Sequence, residues 1–535
     1  MLPELLPEFT TDSDGNRTYS ERTKTLFEII EHGLPAAGTP RSVAVSGAGF
    51  SGMVAASLLR QQGYEVTIYE ANTRVGGRIK TLRHPLSEGL SGEAGAMRLV
   101  SSYQLVYKYI SMLGLNTFTF INHDVIGNEL IFVNGVKCTR DQYEADPDML
   151  KFPTIGRERG HTAQDLWAGN VDTGFEGALH PIQKRIDPQW GGKATLKRWE
   201  KVIEDYGQFS VRGYLKEKAK YSEGAVAMIE VMLNLESRSN LSLIQQIIET
   251  LDHDPTGTYE GIVGGMDRLP LAFAEMLSAH DVPIYFNQML TAIDRTGERI
   301  RLRFQAGDAQ ALNRPRGVGV PAPPRFPEAE ADAVVLTIPF PMMRYLDVQP
   351  PFSQQKRKAI RELNYNAATK IFLEFDHRFW EQGPKPIYGG QTITDLAARF
   401  IYYPSTDLRS AGGGVVISIY VWATEARGWD SLTERQRVEF SLNDLARIHG
   451  EQIREHFVVG TAQSWLIDDF SMGEAAMLEP GQIQELEGTI PVPEGEVYFA
   501  GDATSFKIAW IEGAIEAGIR AAAQVAGLSI PGVTP

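Results

Sequence analysis

The chain has 535 residues, 43% of them hydrophobic and 22% charged, with a formal net charge of −15. That length exceeds one compact core, so two or three domains are expected, and the acidic balance excludes a nucleic-acid binder, which needs a basic surface for phosphate. No apolar run reaches the ~18 residues of a membrane span, no secretory signal opens the sequence, and the single cysteine, Cys138, excludes a disulfide framework and any multi-cysteine metal site. A soluble cytoplasmic protein without a metal ion is the expectation.

Residues 1–39 read as a polar N-terminal extension with a helix over Glu21–His32. Next come a β-branched strand, Ser42–Ser46 (SVAVS), a glycine turn, a helix over Gly52–Gln62 and a second strand, Glu65–Glu70, that ends on an acid. This is a complete βαβ unit. From 144 to 250 the pattern is helical, clearest over 224–235 and 241–251. Strands return at Ile284–Phe286, Ile300–Phe304 and Ala333–Ile338, and the Pro- and Gly-rich stretch Ala311–Pro327 reads as an exposed hairpin insertion. A second group of strands covers 369–375, 399–403 and 415–421. The chain closes with a strand, Val497–Ala500, and a helix, Trp510–Val525, whose Ile511, Ile515, Ile519 and Ala522 fall on one stripe. The fold class is therefore α/β and multi-domain. A discontinuous nucleotide domain (40–110, 255–345, 490–530) is expected to carry a mixed-sheet substrate domain (111–140, 346–489) and a helical domain (141–254).

Gly47, Gly49 and Gly52 form G-A-G-F-S-G, with Ser51 inside it, between the first strand and its helix. The first glycine permits the turn, the second lets a pyrophosphate approach the backbone, and the third lets helix and strand pack closely. Glu70 follows Gly47 by 23 residues and fits the carboxylate that binds a ribose hydroxyl, with Ala71 beside it. Asn72–Arg78 (NTRVGGR) then adds two glycines that can expose N–H groups to phosphate and an arginine, Arg78, that can neutralise it.

From Glu70 to Arg78 the pattern E-x-x-x-R-x-G-G-R resembles the flavin amine oxidases, in which it follows the Rossmann unit. The resemblance implies a Rossmann-like FAD-binding domain of the amine oxidase type. It also implies that Gly501 and Asp502, after the last strand, meet the ribityl chain, although Asp502 alone reads as a cap or turn residue. The helix opened by Trp510 and Ile511 would aim its N-terminus at the flavin pyrimidine. No cysteine occurs over 501–510, so FAD is expected to be non-covalent.

Within that family the chain looks most similar to the L-amino acid oxidases, because of Gly92–Leu99 (GEAGAMRL). Gly95, Ala96 and Met97 would run along the flavin, and Arg98 would project into the cavity to hold an α-carboxylate bidentately. Taken alone, Arg98 reads equally well as a surface salt-bridge partner. Lys370 in Thr369–Phe372 (TKIF) resembles the lysine that holds a water near flavin N5; on its own it is either snorkelling or buried for a purpose. Residues 389–404, which include Tyr402, resemble the snake-venom type. Alignment from there implies Tyr420 as the second carboxylate ligand, Trp422 and Tyr402 in the side-chain pocket, and Trp510 with the Ala509 carbonyl near the amino group; family members often have Gly at 509. Tryptophans and tyrosines are otherwise ordinary core residues.

The reaction implied is oxidative deamination of an L-amino acid: hydride leaves Cα for N5, and dioxygen becomes hydrogen peroxide as a 2-oxo acid and ammonia are released. A large apolar or aromatic substrate side chain is expected, unless Asp468 or Glu512 points inward to receive a basic one. A monoamine or polyamine oxidase, an FAD-dependent amino acid 2-monooxygenase and a non-catalytic flavin-binding protein remain alternatives. Relatives suggest a homo-oligomer, a dimer or dimer of dimers.

Overall fold

The computed structural model describes residues 2–5, 8–11, 17–36, 39–123, 127–186, 193–252, 259–306 and 325–533. The insertion expected over Ala311–Pro327 lies almost wholly outside them. Among the described residues no helix is long and apolar enough to cross a membrane.

Short apolar strands buried on both faces build the first sheet. In Ala333–Leu336 all four residues are buried, and in Ser42–Ser46 four of five. Such runs belong in a parallel sheet covered on both sides. Five strands pair in the order Ile284–Tyr285, Glu65–Tyr69, Ser42–Ser46, Ala333–Leu336, Val497–Phe499, every pair parallel. The sheet thus draws on both ends of the chain. The expected first helix begins two residues earlier than its glycine, at Phe50–Gln61, with Gly49 as its N-cap. The terminal helix, Ile511–Val525, takes Trp510 as its N-cap and buries the whole expected stripe.

A seven-stranded mixed sheet runs in the order Val136–Thr139, Leu130–Val133, Gln391–Thr394, Phe400–Tyr402, Gly414–Trp422, Ala368–Phe375, Phe457–Ser464. Ala368–Phe375 is buried along its whole length, as an interior strand must be. Register places Lys370 opposite Tyr420 and Ala368 opposite Trp422. Leu442, Leu445 and Ile448 of the helix Glu434–His449 pack with Ile371, Leu373 and Ile419 of this sheet.

Between 163 and 252 lie the helices Ala163–Ala168, Lys193–Tyr206, Val211–Glu217, Glu223–Met232 and Leu243–Asp252. Ser210 and Ser222 accept N–H bonds as N-caps, which fixes where two of them start. A small sheet that sequence pattern did not reveal joins Leu99–Val100, Tyr259–Ile262 and Thr117–Phe120.

Candidate active site

A cavity of about 1770 Å³ runs from the glycine turn to Trp422 and Trp510. Every residue singled out for cofactor or substrate lines it except Gly52: Gly47, Gly49, Ser51, Glu70, Ala71, Arg78, Gly95, Ala96, Met97, Arg98, Lys370, Tyr402, Tyr420, Trp422, Gly501, Asp502, Ala509, Trp510 and Ile511. Gly52 serves packing instead, since a Cβ there would stand 2.2 Å from the Gly47 carbonyl oxygen. At Gly49, by contrast, a Cβ would meet nothing within 4 Å, so it would project into the cavity.

These residues fit a dinucleotide. The helix Phe50–Gln61 has no side-chain cap, so its first N–H groups are left for an anion. Glu70 is buried at the cavity wall and accepts N–H bonds from Ala48 (2.6 Å) and Asn72 (2.7 Å), which fix the orientation of its carboxylate. Burial pushes its pKa up. Ser51 Oγ accepts the Gly501 N–H (3.0 Å) and ties the last strand to the glycine turn.

Arg78 lines the cavity and has protein partners of its own: its guanidinium pairs with Asp502 and donates to the Glu474 carbonyl (2.6 Å). Burial opposes its charge, yet Asp502 carries its pKa above the usual arginine value. A carboxylate this near is the stronger partner in a buried place. Asp502 also accepts the Ala509 N–H (3.1 Å), so the Arg78–Asp502 pair braces the loop leading to Trp510. Arg74 likewise folds back onto the carbonyls of Val75, Gly77 and Ile79.

The loop Gly92–Leu99 crosses the cavity close to other backbone: a Cβ at Gly95 would fall 1.7 Å from the Arg78 carbonyl oxygen. Trp465 Nε1–H supports the loop through the Ala94 carbonyl (2.9 Å). Arg98, at its end, has no ion pair among the described residues. Its guanidinium donates to Asn122 Oδ1 and lies 4.7 Å from the Tyr259 ring centre and 5.9 Å from that of Tyr402. Burial works against its charge, but Tyr402, Tyr259 and Tyr420 raise its pKa overall. Burial also raises the pKa values of Tyr402 and Tyr420, leaving neutral hydroxyls as donors.

Lys370 is 2% exposed, so it is not snorkelling. Its Nζ donates to the carbonyls of Glu93 (2.9 Å) and Gly95 (2.7 Å) and lies 4.3 Å from the Tyr420 ring centre. Burial lowers its pKa to about 7, against the pull of Glu93 and Glu474. Those two carboxyls are themselves raised to about 7, chiefly by burial. Trp422 packs on Tyr420, ring centres 4.1 Å apart, and Trp510 meets Tyr103 edge-on at 5.3 Å. Ala509 has φ +69°, the left-handed region that suits glycine.

Sequence reasoning missed Asn122, Tyr259, Arg238 and Glu474, which also line the cavity. Arg238 sits 5.3 Å from the Trp422 ring centre and pairs with Glu249 at 2.8 Å. None carries a local signal; Arg238 lies in E-S-R-S-N, the composition of any exposed turn. The two acids considered for a basic substrate also line the cavity, and each already has protein partners. Glu512 accepts the N–H groups of Leu105 (2.7 Å) and Val106 (2.9 Å), capping a helix. Asp468 influences Glu70, Arg74 and Lys80, at the other end of the cavity.

Residues 50–526 match the model of the flavin-containing amine oxidoreductases. The YobN protein of Bacillus subtilis (strain 168) is 38% identical over 502 residues, covering 94% of this chain and 98% of its own. An L-amino-acid oxidase of Siganus canaliculatus is 33% identical over 501 residues, covering 94% and 88%. A solved structure of a putrescine oxidase mutant superposes with a TM-score of 0.68 at 19% identity, covering 92% of this chain and all of that one. The chain belongs to the flavin-containing amine oxidoreductase family. Its cofactor is FAD, bound without a covalent link; the lone cysteine, Cys138, is buried on the strand Val136–Thr139, far along the chain from the 501–510 loop.

Proposed function

We propose that this enzyme oxidises the Cα–N bond of L-amino acids, releasing a 2-oxo acid, ammonia and hydrogen peroxide. The observation that carries the reading is Arg98: a cavity-lining guanidinium with no acidic partner among the described residues, ringed by Tyr259, Tyr402 and Tyr420. A simple amine offers nothing to such a group; an α-carboxylate does.

Bound FAD supplies the two-electron acceptor, which dioxygen reoxidises. The chain's own residues bind, orient and move protons. Arg98 and the Tyr420 hydroxyl hold the carboxylate. The Ala509 carbonyl accepts from the amino group and Trp510 walls it in, so that a single Cα–H direction is presented. An ammonium has no lone pair to form an imine, so it must first lose a proton. Lys370, buried and poised near neutrality, takes that proton through a water. Tyr402 and Trp422 form the side-chain wall and favour large apolar or aromatic substrates.

The test compares L-phenylalanine, D-phenylalanine and 2-phenylethylamine for anaerobic bleaching of the flavin. The L-enantiomer alone should bleach it rapidly; equal bleaching by the amine would remove the carboxylate from recognition. Identifying the product as a 2-oxo acid rather than an amide separates oxidase from monooxygenase.

A further inference from the structure

The single cysteine excludes multi-cysteine metal sites, and says nothing of imidazole and carboxylate. Outside the catalytic cavity, the strands Ala368–Phe375 and Phe457–Ser464 run antiparallel with a register shift at one end: Glu374 pairs with Val459, but Phe375 pairs with Phe457. Val458 is the extra residue of a bulge, a device that re-aims neighbouring side chains. Just beyond it the Asp376 N–H donates to the His456 carbonyl (2.9 Å). As a result three side chains converge. Asp376 Oδ1 lies 2.8 Å from His377 Nδ1 and 3.0 Å from His456 Nδ1, and the two imidazole centres are 3.7 Å apart at 83°.

We propose that Asp376, His377 and His456 bind one divalent transition-metal ion of the class that takes imidazole and carboxylate together, with zinc the representative case. Ligands at ~2.1 Å from such an ion stand about 3.0 Å apart when at right angles and about 3.4 Å apart when tetrahedral. The observed separations therefore need to open by only a few tenths of an ångström. Without an ion, both Nδ1–H groups compete for one carboxylate oxygen. With it, each ring turns a Nδ1 lone pair to the metal and carries its proton on Nε2, in reach of water because the rings are 28% and 34% exposed. Two neutral rings and one carboxylate leave open positions for water or an added anion.

The site has a mechanical consequence. Phe457–Ser464 is the edge strand of the seven-stranded sheet, and an ion here ties its beginning to its neighbour at the point where the bulge interrupts the ladder.

The experiment uses the flavin-loaded enzyme, free of added histidine tags and stripped with EDTA, titrated with Zn²⁺ by calorimetry. The expected result is one ion per chain, with affinity at least tenfold weaker in His377→Ala and in His456→Ala, and a zinc-induced rise in melting temperature seen in wild type alone. Asp376→Asn, which preserves shape, should weaken binding as well. Flavin content and turnover serve as controls and should not change, because none of the three residues lines the catalytic cavity. No stoichiometric uptake by the wild type, or uptake that survives all three substitutions, overturns the site.

Discussion

Glu8 and Lys507, 499 positions apart in the chain, form a buried ion pair. The other Glu8 oxygen accepts the Gln104 N–H (2.8 Å), and Glu4 accepts the Phe506 N–H (2.8 Å). Lys507 Nζ in turn lies 5.2 Å from the Tyr103 ring centre, and Tyr103 meets Trp510. The N-terminal segment is thus built into the loop that leads to Trp510, the proposed substrate wall. Glu8→Gln keeps an acceptor for Gln104 while removing the charge, and breaking a buried pair from one side costs about 3 kcal/mol. The variant should unfold at lower urea and show a raised KM with flavin retained. An unchanged midpoint would sink this account.

Glu516 belongs to the same cluster. Burial opposes its charge, but Arg22 and Lys507 hold its pKa at about 2. A carboxyl depressed in the folded state stabilises fully above its unfolded value near 4.5 and loses that contribution as pH falls from there towards 2. Melting temperature should therefore drop steeply across that window, and the drop should flatten in Glu516→Gln.

For Arg98 the expected signature lies in KM. Losing a charge-assisted bidentate contact costs about 2–3 kcal/mol, or roughly 30–150-fold. Arg98→Ala should show that loss in kcat/KM while the protein stays yellow; Arg98→Lys, which lacks the planar fork, should recover only part. Steady-state kinetics beside a flavin absorbance ratio decide it.

Lys370 predicts a pH profile. Its free amine exists above about 7, so kcat/KM should rise through that value and level off. Glu93 and Glu474 also titrate near 7, which makes the limb a property of the group rather than of one residue. Lys370→Met should slow turnover by about 100-fold or more and displace the limb. The same shift burdens the fold: between about 7 and 10.5 the unfolded chain binds a proton that the native lysine refuses, so the penalty fades as pH rises. Lys370→Met should consequently melt higher than wild type at pH 7.

The two glycines of the turn should separate by readout. Gly49→Ala places a methyl in open cavity and should leave the apo fold intact while weakening FAD binding at least tenfold. Gly52→Ala meets the Gly47 carbonyl and should lower stability itself. Flavin titration and melting of the apoprotein distinguish them.

Much of this was legible in the residues. The Ser42–Tyr69 unit announces itself because strand, turn and helix each have their own periodicity, and Arg98 and Lys370 sit in segments whose residue order carries meaning. What surrounds them was not legible. Asn122 and Tyr259 reach Arg98 from separate strands and loops, and no local spacing encodes such a meeting. The pairing of Arg78 with Asp502 has no local mark, because the two lie 424 positions apart. That the Glu512 carboxylate caps another helix, accepting its N–H groups, leaves no mark in the sequence near the acid. Glu4 and Glu8 resemble surface residues until the cations they neutralise are known.

Tyr259 opens the strand on which the chain returns from the helices 163–252, and that strand pairs Tyr259 with Val100 and Glu260 with Leu99, the two residues after Arg98. The helical stretch is therefore joined back to the rest of the chain beside Arg98, the proposed carboxylate ligand. Helices could be lengthened, shortened or exchanged upstream of Tyr259, remodelling the entrance and the choice of side chain, while the geometry at Arg98 is inherited unchanged. In such a layout selectivity can diversify on a reaction centre that stays the same.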